Sequence, residues 1–416
     1  MSVKSHERTS ASSSLWRNHN YQLLQGGQIV SYIGNQQQFI AIPLLVLALT
    51  GSAVQVGIVM GLSTIAVLVV SPLAGMFADK WNRKWTMLLC DAGRMLIIFT
   101  IPLAYWFHVL AMWQIYLAVT GAGVLGTIFS VANVAALPSV VTPEQLPAAL
   151  SQSQAAYSVV RTFGSLLGGT LYSLGEMFPF LANAVSFGVS VFSLSFIRGN
   201  FQRSQEQTGS TWYQSISEGF AWLWKQPLLR FLTLVNGADN LRYGAGFLVI
   251  VVLAQNLHTS ASGIGAIFTG AAVGALLGNV LSNWARRRFP FGKIAISMLW
   301  LEALMFPLYA IAPNAVVMCF IAAAEELVGP IYTISLDTYR LLATPDALRG
   351  RMSSIVQLVE QGAGSVGAIV GGLLIQGVGA RNSALILGAW LILLAALTTL
   401  NRRVRRAMLP THADSE

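Results

Sequence analysis

Charge is what this sequence has little of. Only 10% of its 416 residues are Asp, Glu, Lys or Arg, against about a quarter in a soluble chain. Hydrophobic residues make up 55% and the mean hydropathy is +0.62. That is too little polar side chain to cover one aqueous fold, so a bilayer has to act as solvent for much of the chain. Cysteine is scarce as well. Cys90 and Cys319 both fall inside apolar runs, which excludes a disulfide framework and a cysteine metal site. His6, His19, His108, His258 and His412 lie in tails or near the ends of apolar runs. No His, Cys or carboxylate cluster has ligand spacing, and no nucleophile has a plausible histidine base. An enzyme, a cofactor and a metal centre are therefore not expected. The Ser-rich start, Met1 to Asn18, also lacks a short apolar core before a small-residue cleavage site, so no cleavable signal peptide is expected.

Long apolar runs are what is there. Each spanning helix needs about 20 mostly apolar residues, and such runs occur at 22–49, 54–78, 85–107, 111–136, 149–174 and 177–197. After a polar stretch they resume at 228–256, 262–285, 293–312, 314–340, 352–377 and 381–401. The spacing predicts an all-α membrane protein of twelve transmembrane helices in two six-helix bundles. The net charge of +9 does not imply a nucleic-acid partner, because the basic residues sit in short clusters between the runs. If the helices alternate, 21 Lys and Arg residues fall on one side, from Lys4 to Arg406, against Arg381 alone on the other. That bias predicts cytoplasmic termini.

Residues 198–227 divide the chain. They begin polar, and then Trp212, Ile216, Phe220 and Leu223 recur at helical spacing before Pro227. A short amphipathic helix on the cytoplasmic surface is predicted. The expected organisation is a tail (1–20), a first bundle (21–197), this linker (198–227), a second bundle (228–401) and a second tail (402–416). The halves repeat. Thr142-Pro143-Glu144-Gln145-Leu146 recurs as Thr344-Pro345-Asp346-Ala347-Leu348, and Gly164, Gly168 and Gly169 recur as Gly367, Gly371 and Gly372. A duplicated six-helix unit is a transporter architecture, because it creates an interface at which access can alternate.

Between the second and third runs stand Gly75, Asp79, Lys80, Asn82, Arg83 and Lys84. A glycine, an acid four residues on, a basic residue, a turn residue and two more basics resemble the hallmark loop of the major facilitator superfamily. Asn82 replaces the usual turn glycine, and asparagine tolerates positive φ better than most residues. The resemblance marks Gly75, Asp79, Lys80, Arg83 and Lys84 as a conformational switch. In the second half Gly278 and Arg286 to Arg288 remain, without the acid. Further residues resemble the exporter branch that includes macrolide efflux proteins and the enterobactin exporter. These are Trp16-Arg17-Asn18, Ser31-Tyr32-Ile33-Gly34-Asn35, and the run Glu218 to Leu229. That resemblance implies export. The fourth run lacks the arginine of many proton-driven exporters, and the fifth lacks the proline of the antiporter motif.

Ionisable groups at membrane depth are costly and mark function or pairing. Arg161 lies in the fifth run, Asp239 and Arg242 in the seventh, Glu325 and Glu326 in the tenth, and Glu360 in the eleventh. Asn35, Gln36, Gln37 and Gln38 form an uncharged polar cluster in the first, and a shift of 204 places Asn35 on Asp239. The resemblance implies that helices one, four, seven and ten line the cavity. The expected substrate and proton pathway is thus Asn35, Gln38, Arg161, Asp239, Arg242, Glu325, Glu326 and Glu360. Asp239 and Arg242, three apart on one face, could instead only neutralise each other and lock the helices. The resemblance places the helix of Glu302 at the periphery, and Asp91 with Arg94 is expected as a structural pair beside the Asp79 loop.

The expected function is export of a lipophilic or amphipathic small molecule across the plasma membrane, with proton antiport as the energy source and a monomer as the unit. The proton carrier is Asp239 or one of Glu325 and Glu326. A dedicated exporter of a siderophore or lysophospholipid is an alternative with the same fold. A non-transporting sensor or scaffold is an alternative of another kind, in which the central charges would be dispensable.

Overall fold

The computed structural model describes residues 15–197 and 212–408, without the side chains of 16, 72–80, 212–216 and 347. The first half holds α1 (His19–Thr50), α2 (Ala53–Lys80), α3 (Arg83–Trp106), α4 (Met112–Val140), α5 (Leu146–Leu174) and α6 (Phe178–Phe196). The linker helix is α7 (Trp212–Lys225). The second half holds α8 (Pro227–Asn256), α9 (Ala261–Arg288), α10 (Phe291–Met305, continued as a 3₁₀ turn over Phe306–Ile311), α11 (Ala315–Ala343) and α12 (Arg349–Leu400), closed by the short α13 (Arg402–Arg405).

Ten of these helices are long and apolar enough to cross a bilayer. Two further features accord with the twelve spans expected from the sequence. α12 runs for 52 residues but breaks at Gly379, where φ is +79° and ψ 159°, a conformation open to glycine and strained for other residues. It is therefore two helices joined at that break, one on each side of Gly379. α5 has 29 residues, enough to span, but it carries Ser, Gln, Thr and Arg161 among its apolar residues. Ser158, Arg161, Thr162 and Ser165 among them turn toward the space between the two halves.

Local sequence explains the helix boundaries. The Asn18 side chain accepts from Tyr21 N to start α1, and Gly51 ends it at φ +63°. Asn82 does not take the positive φ expected of a glycine substitute. It sits at φ −63°, and its side-chain oxygen accepts from Lys84 N and Trp85 N, so it caps α3. Pro227 does not terminate α7. It is the first residue of α8, where its missing N–H costs nothing. On α7, Leu223 is buried, Phe220 and Trp224 are exposed with their rings stacked at 5.2 Å, and Glu218 pairs with Arg351 of α12.

Lipid offers no hydrophobic drive between helices, so small residues must let backbones approach. The repeated glycines do this equivalently in both halves. Gly168 of α5 packs on the Gln37 backbone of α1, and Gly371 of α12 on the Ala245 backbone of α8. The third glycine of each set crosses between halves. Gly169 lies against Ala261 and Gly265 of α9, and Gly372 against Ala53 and Val54 of α2. Ser262 N also donates to Ser173 Oγ at 3.1 Å across the same boundary. Ile40 and Leu44 of α1 are buried among second-half residues, and Leu248 of α8 among first-half residues. These contacts all lie toward the end away from the termini.

Candidate functional site

A cavity of about 390 Å³ lies between the halves at mid-depth. α1 presents Tyr32, Gln36 and Phe39. α5 presents Arg161, α8 presents Arg242, Tyr243 and Phe247, α9 presents Phe268 and Asn279, and α11 presents Glu325 and Glu326. Phe247 stands 4.6 Å from Phe39 and 4.9 Å from Phe268, centroid to centroid. This aromatic group joins both halves.

The polar wall is built on Arg242, which is 4% exposed. Its Nε and Nη2 both donate to Asp239 Oδ1, at 3.2 and 3.0 Å. Helical spacing of three residues sets up that pair. Its Nη1 donates to Glu325 Oε1 at 2.7 Å, and Glu302 Oε2 lies 3.8 Å from Nη2. Tyr309 reaches Glu325 with its hydroxyl, and Tyr243 reaches Glu326. Arg161 forms no ion pair among the described residues and is exposed to the cavity. Adjacent residues on a helix point about 100° apart, yet Glu325 and Glu326 both reach this cavity, because it wraps that corner of α11.

Several expectations need correction. Asp239 lines neither cavity. It sits behind Arg242 as its partner. Glu302 is not peripheral. It is 4% exposed and turned toward Arg242, with Oε2 otherwise unpartnered. Asn35, expected on the central pathway, does not line the central cavity. It accepts from Arg94 Nη2 at 2.9 Å and, with Gln38, lines a second cavity of about 230 Å³ among α1, α2, α3 and α4. Arg94 does pair with the fully buried Asp91, at 3.1 Å, but it also lines that cavity. Glu360 also lines neither cavity. Its Oε1 accepts from Arg340 Nη1 at 2.9 Å and from Asn236. Arg340, at the end of the tenth apolar run and one of the 21 basic residues of the cytoplasmic bias, is a buried residue of α11.

The switch loop is only partly described. The side chains of Gly75, Asp79 and Lys80 lie outside the described residues. Arg83 Nη1 donates to Ala135 O at 2.8 Å, and Lys84 Nζ donates to Ser195 O and Ile197 O at 3.0 and 2.7 Å. Both cations thus bind carbonyls near the C-terminal ends of α4 and α6, where the helix dipole favours them, and they brace the first half. Among the described residues, no cluster of His, Cys, Asp and Glu could hold a metal ion.

Comparison with known proteins adds a family. A family model described as "Transmembrane secretion effector" matches residues 10–414. The chain is 26% identical over 391 residues to the multidrug efflux pump Tap of Mycolicibacterium fortuitum, covering 89% of this chain and 93% of that one. It is 24% identical over 347 residues to the enterobactin exporter EntS of Escherichia coli O81 (strain ED1a), covering 80% of each. Its fold superposes with a TM-score of 0.74 on a bacterial homologue of the iron transporter ferroportin in an inward-facing state, at 18% identity, covering 93% of this chain and 99% of that one.

Proposed function

The chain belongs to the transmembrane secretion effector family of major facilitator transporters, and from that premise we propose that it exports lipophilic or amphipathic small molecules in exchange for protons. It is a multi-pass efflux-family protein, not an enzyme. The observation that carries the coupling is a charge count over the cavity wall and the acids that sit directly behind it on Arg242. Asp239, Glu302, Glu325 and Glu326 bring four carboxyl groups, while Arg242 and Arg161 bring two guanidiniums. A fully ionised set would leave an excess of negative charge in a poorly solvated site, which is costly. Protons or a cationic group on the substrate can neutralise it. Competition between them for the same carboxylates is antiport.

Glu326 is the preferred carrier. It lines the cavity, whereas Arg242 already holds Asp239 and Glu325, and Glu302 is enclosed behind the guanidinium. The Lys and Arg bias supports cytoplasmic termini in the plasma membrane. With that orientation the packed end faces outward and the cavity is in its loading state. The likeness to Tap supports several substrates. The likeness to EntS supports a second reading, a single dedicated substrate, under which one compound of a panel would be carried and the rest ignored.

The test uses purified protein in proteoliposomes with an imposed pH gradient and a panel of lipophilic dyes. Glu326→Gln is expected to lose uphill transport by a factor of at least about 10 and to keep downhill exchange, because the amide mimics the protonated acid. Full uphill transport by Glu326→Gln, Glu325→Gln and Asp239→Asn, each measured separately, would overturn the proton reading.

A further inference from the structure

The second cavity differs in chemistry from the first. Its lining comes from the first half alone, and it adjoins the central cavity at Gln36 and Phe39, which line both. Its single charged lining residue is Arg94, and Asp91 neutralises it at 3.1 Å. The guanidinium lies over the Phe187 ring at 4.0 Å and against Gly126 of α4, so it is fixed from both faces. A guanidinium only donates. Asn35 must therefore turn its carbonyl oxygen to Arg94 Nη2 and its amide NH₂ away. No described residue accepts from that NH₂. Gln38, 7% exposed, also lines this lobe, and its side-chain nitrogen has no partner. The remaining wall is apolar, with Ile98, Val119 and Ala122 among it.

We propose that this lobe is a second substrate subsite, electrically neutral, that receives an uncharged apolar portion bearing a hydrogen-bond acceptor, such as an ester, amide or ether oxygen. The inference rests on the proposed efflux of amphipathic molecules and specifies their shape. The ionisable end lies among the carboxyls of the central cavity, and the neutral end passes Gln36 and Phe39 into the lobe between α1 and α4. Two arguments decide for a neutral acceptor over a charged group. Arg94 is already balanced by Asp91, so an added anion would face no net positive charge. The unpartnered groups are donors, and the buried Gln38 nitrogen left without an acceptor costs more than a formed hydrogen bond yields. An acceptor on the ligand relieves both, whereas a plain hydrocarbon relieves neither.

The experiment measures binding to the purified full-length protein by isothermal titration calorimetry. It uses three probes built on one aromatic cation: the head alone, the head with an ester-bearing alkyl tail, and the head with an all-hydrocarbon tail of equal length. In the unaltered protein the ester tail should bind about 3- to 10-fold more tightly than the hydrocarbon tail, the range of one net hydrogen bond. Asn35→Leu should erase that preference. Ala122→Phe, which fills the lobe, should erase the gain from either tail while the head alone keeps its affinity, and that retained affinity shows the variant is folded. Val119→Phe fills the same space from another turn and should behave alike. A tail gain that survives both filling variants overturns the subsite, as does an ester preference that survives Asn35→Leu. If the head alone binds without any competition from protons, the central-cavity reading fails, while loss of the tail gain on filling the lobe still supports the subsite.

Discussion

Arg242 Nη1 lies 2.7 Å from Glu325 Oε1, and the two side chains are 4% and 8% exposed. This contact joins α8 to α11 inside the second half. A guanidinium there is shared among Glu325, Asp239 and Glu302. The first half has a related arrangement with the polarity exchanged. Its arginine, Arg94, comes from the third helix and reaches Asn35 on the first. In the second half the arginine comes from the first helix of the bundle and the acid, Glu302, from the third. The repeat has kept a polar bridge between the same two helices and turned one into an acidic site and the other into a neutral one.

Removing one partner of a buried ion pair strands the other, at a cost of about 3–5 kcal/mol. Arg242→Met is therefore expected to lower the thermal unfolding temperature in detergent sharply, and Asp239→Asn added to it should recover part of the loss. Unfolding temperature by intrinsic fluorescence checks both. An Arg242→Met protein as stable as the parent would show that the cluster does not hold α8 to α11.

Glu360 is expected to behave differently from the cavity acids. Its bond to Arg340 joins α12 to α11, and Asn236 attaches α8 to the same carboxylate. With a quarter of the Glu360 side chain exposed, solvent screens the pair, and its loss should cost about 1–2 kcal/mol. Glu360→Gln should thus lower stability modestly and leave uphill transport in place. A double-mutant cycle with Arg340→Gln measures the pair. Loss of coupling at normal stability would instead make Glu360 part of the proton path.

The all-α membrane fold and the repeated glycines were readable in sequence because both are periodic along the chain. So was the Asp239–Arg242 pair, which a spacing of three residues brings together within one helix. Glu302 was not readable. Whether it points to lipid or to Arg242 depends on how α10 is rotated in the bundle, and α10 is apolar all round, so no stripe marks its inner face. Arg94 was missed for a related reason. Its spacing to Asp91 suggested a local pair, while its second partner, Asn35, lies on another helix. Asn82 had one residue type and two possible uses, a positive-φ turn or a helix cap, and only the backbone angle distinguishes them. The two cavities arise where helices diverge, and nothing along a single chain records that.

Orientation has a direct check. An enzyme reporter active only outside the cytoplasm should be silent when fused after Arg406 and active when inserted near Leu110 or Arg381. These positions fall on opposite sides of a bundle whose spans alternate, with α12 counted as two. Activity after Arg406 would reverse the orientation and with it the loading state assigned to the cavity.

The packed end tests alternating access itself. A methyl group added at Gly372 would come within 2.9 Å of Val54 Cα, and one at Gly169 within 3.0 Å of the Ala261 carbonyl carbon. Both obstacles are backbone, so the halves would have to separate there. Gly169→Val and Gly372→Val should each disfavour the conformation in which α5 meets α9 and α12 meets α2, and so shift the protein toward the state open at that end. The native thiols are first removed as Cys90→Ala and Cys319→Ala. A cysteine placed at Ser173, beside the Ser262 contact, then reports the shift through its labelling rate with a membrane-impermeant maleimide added from outside. Labelling should rise several-fold in each glycine variant. Gly168→Val serves as the control, since Gly168 packs on α1 within the same half and strains both states alike. Equal labelling in all three would mean that the Gly169 and Gly372 contacts are not what holds this end shut.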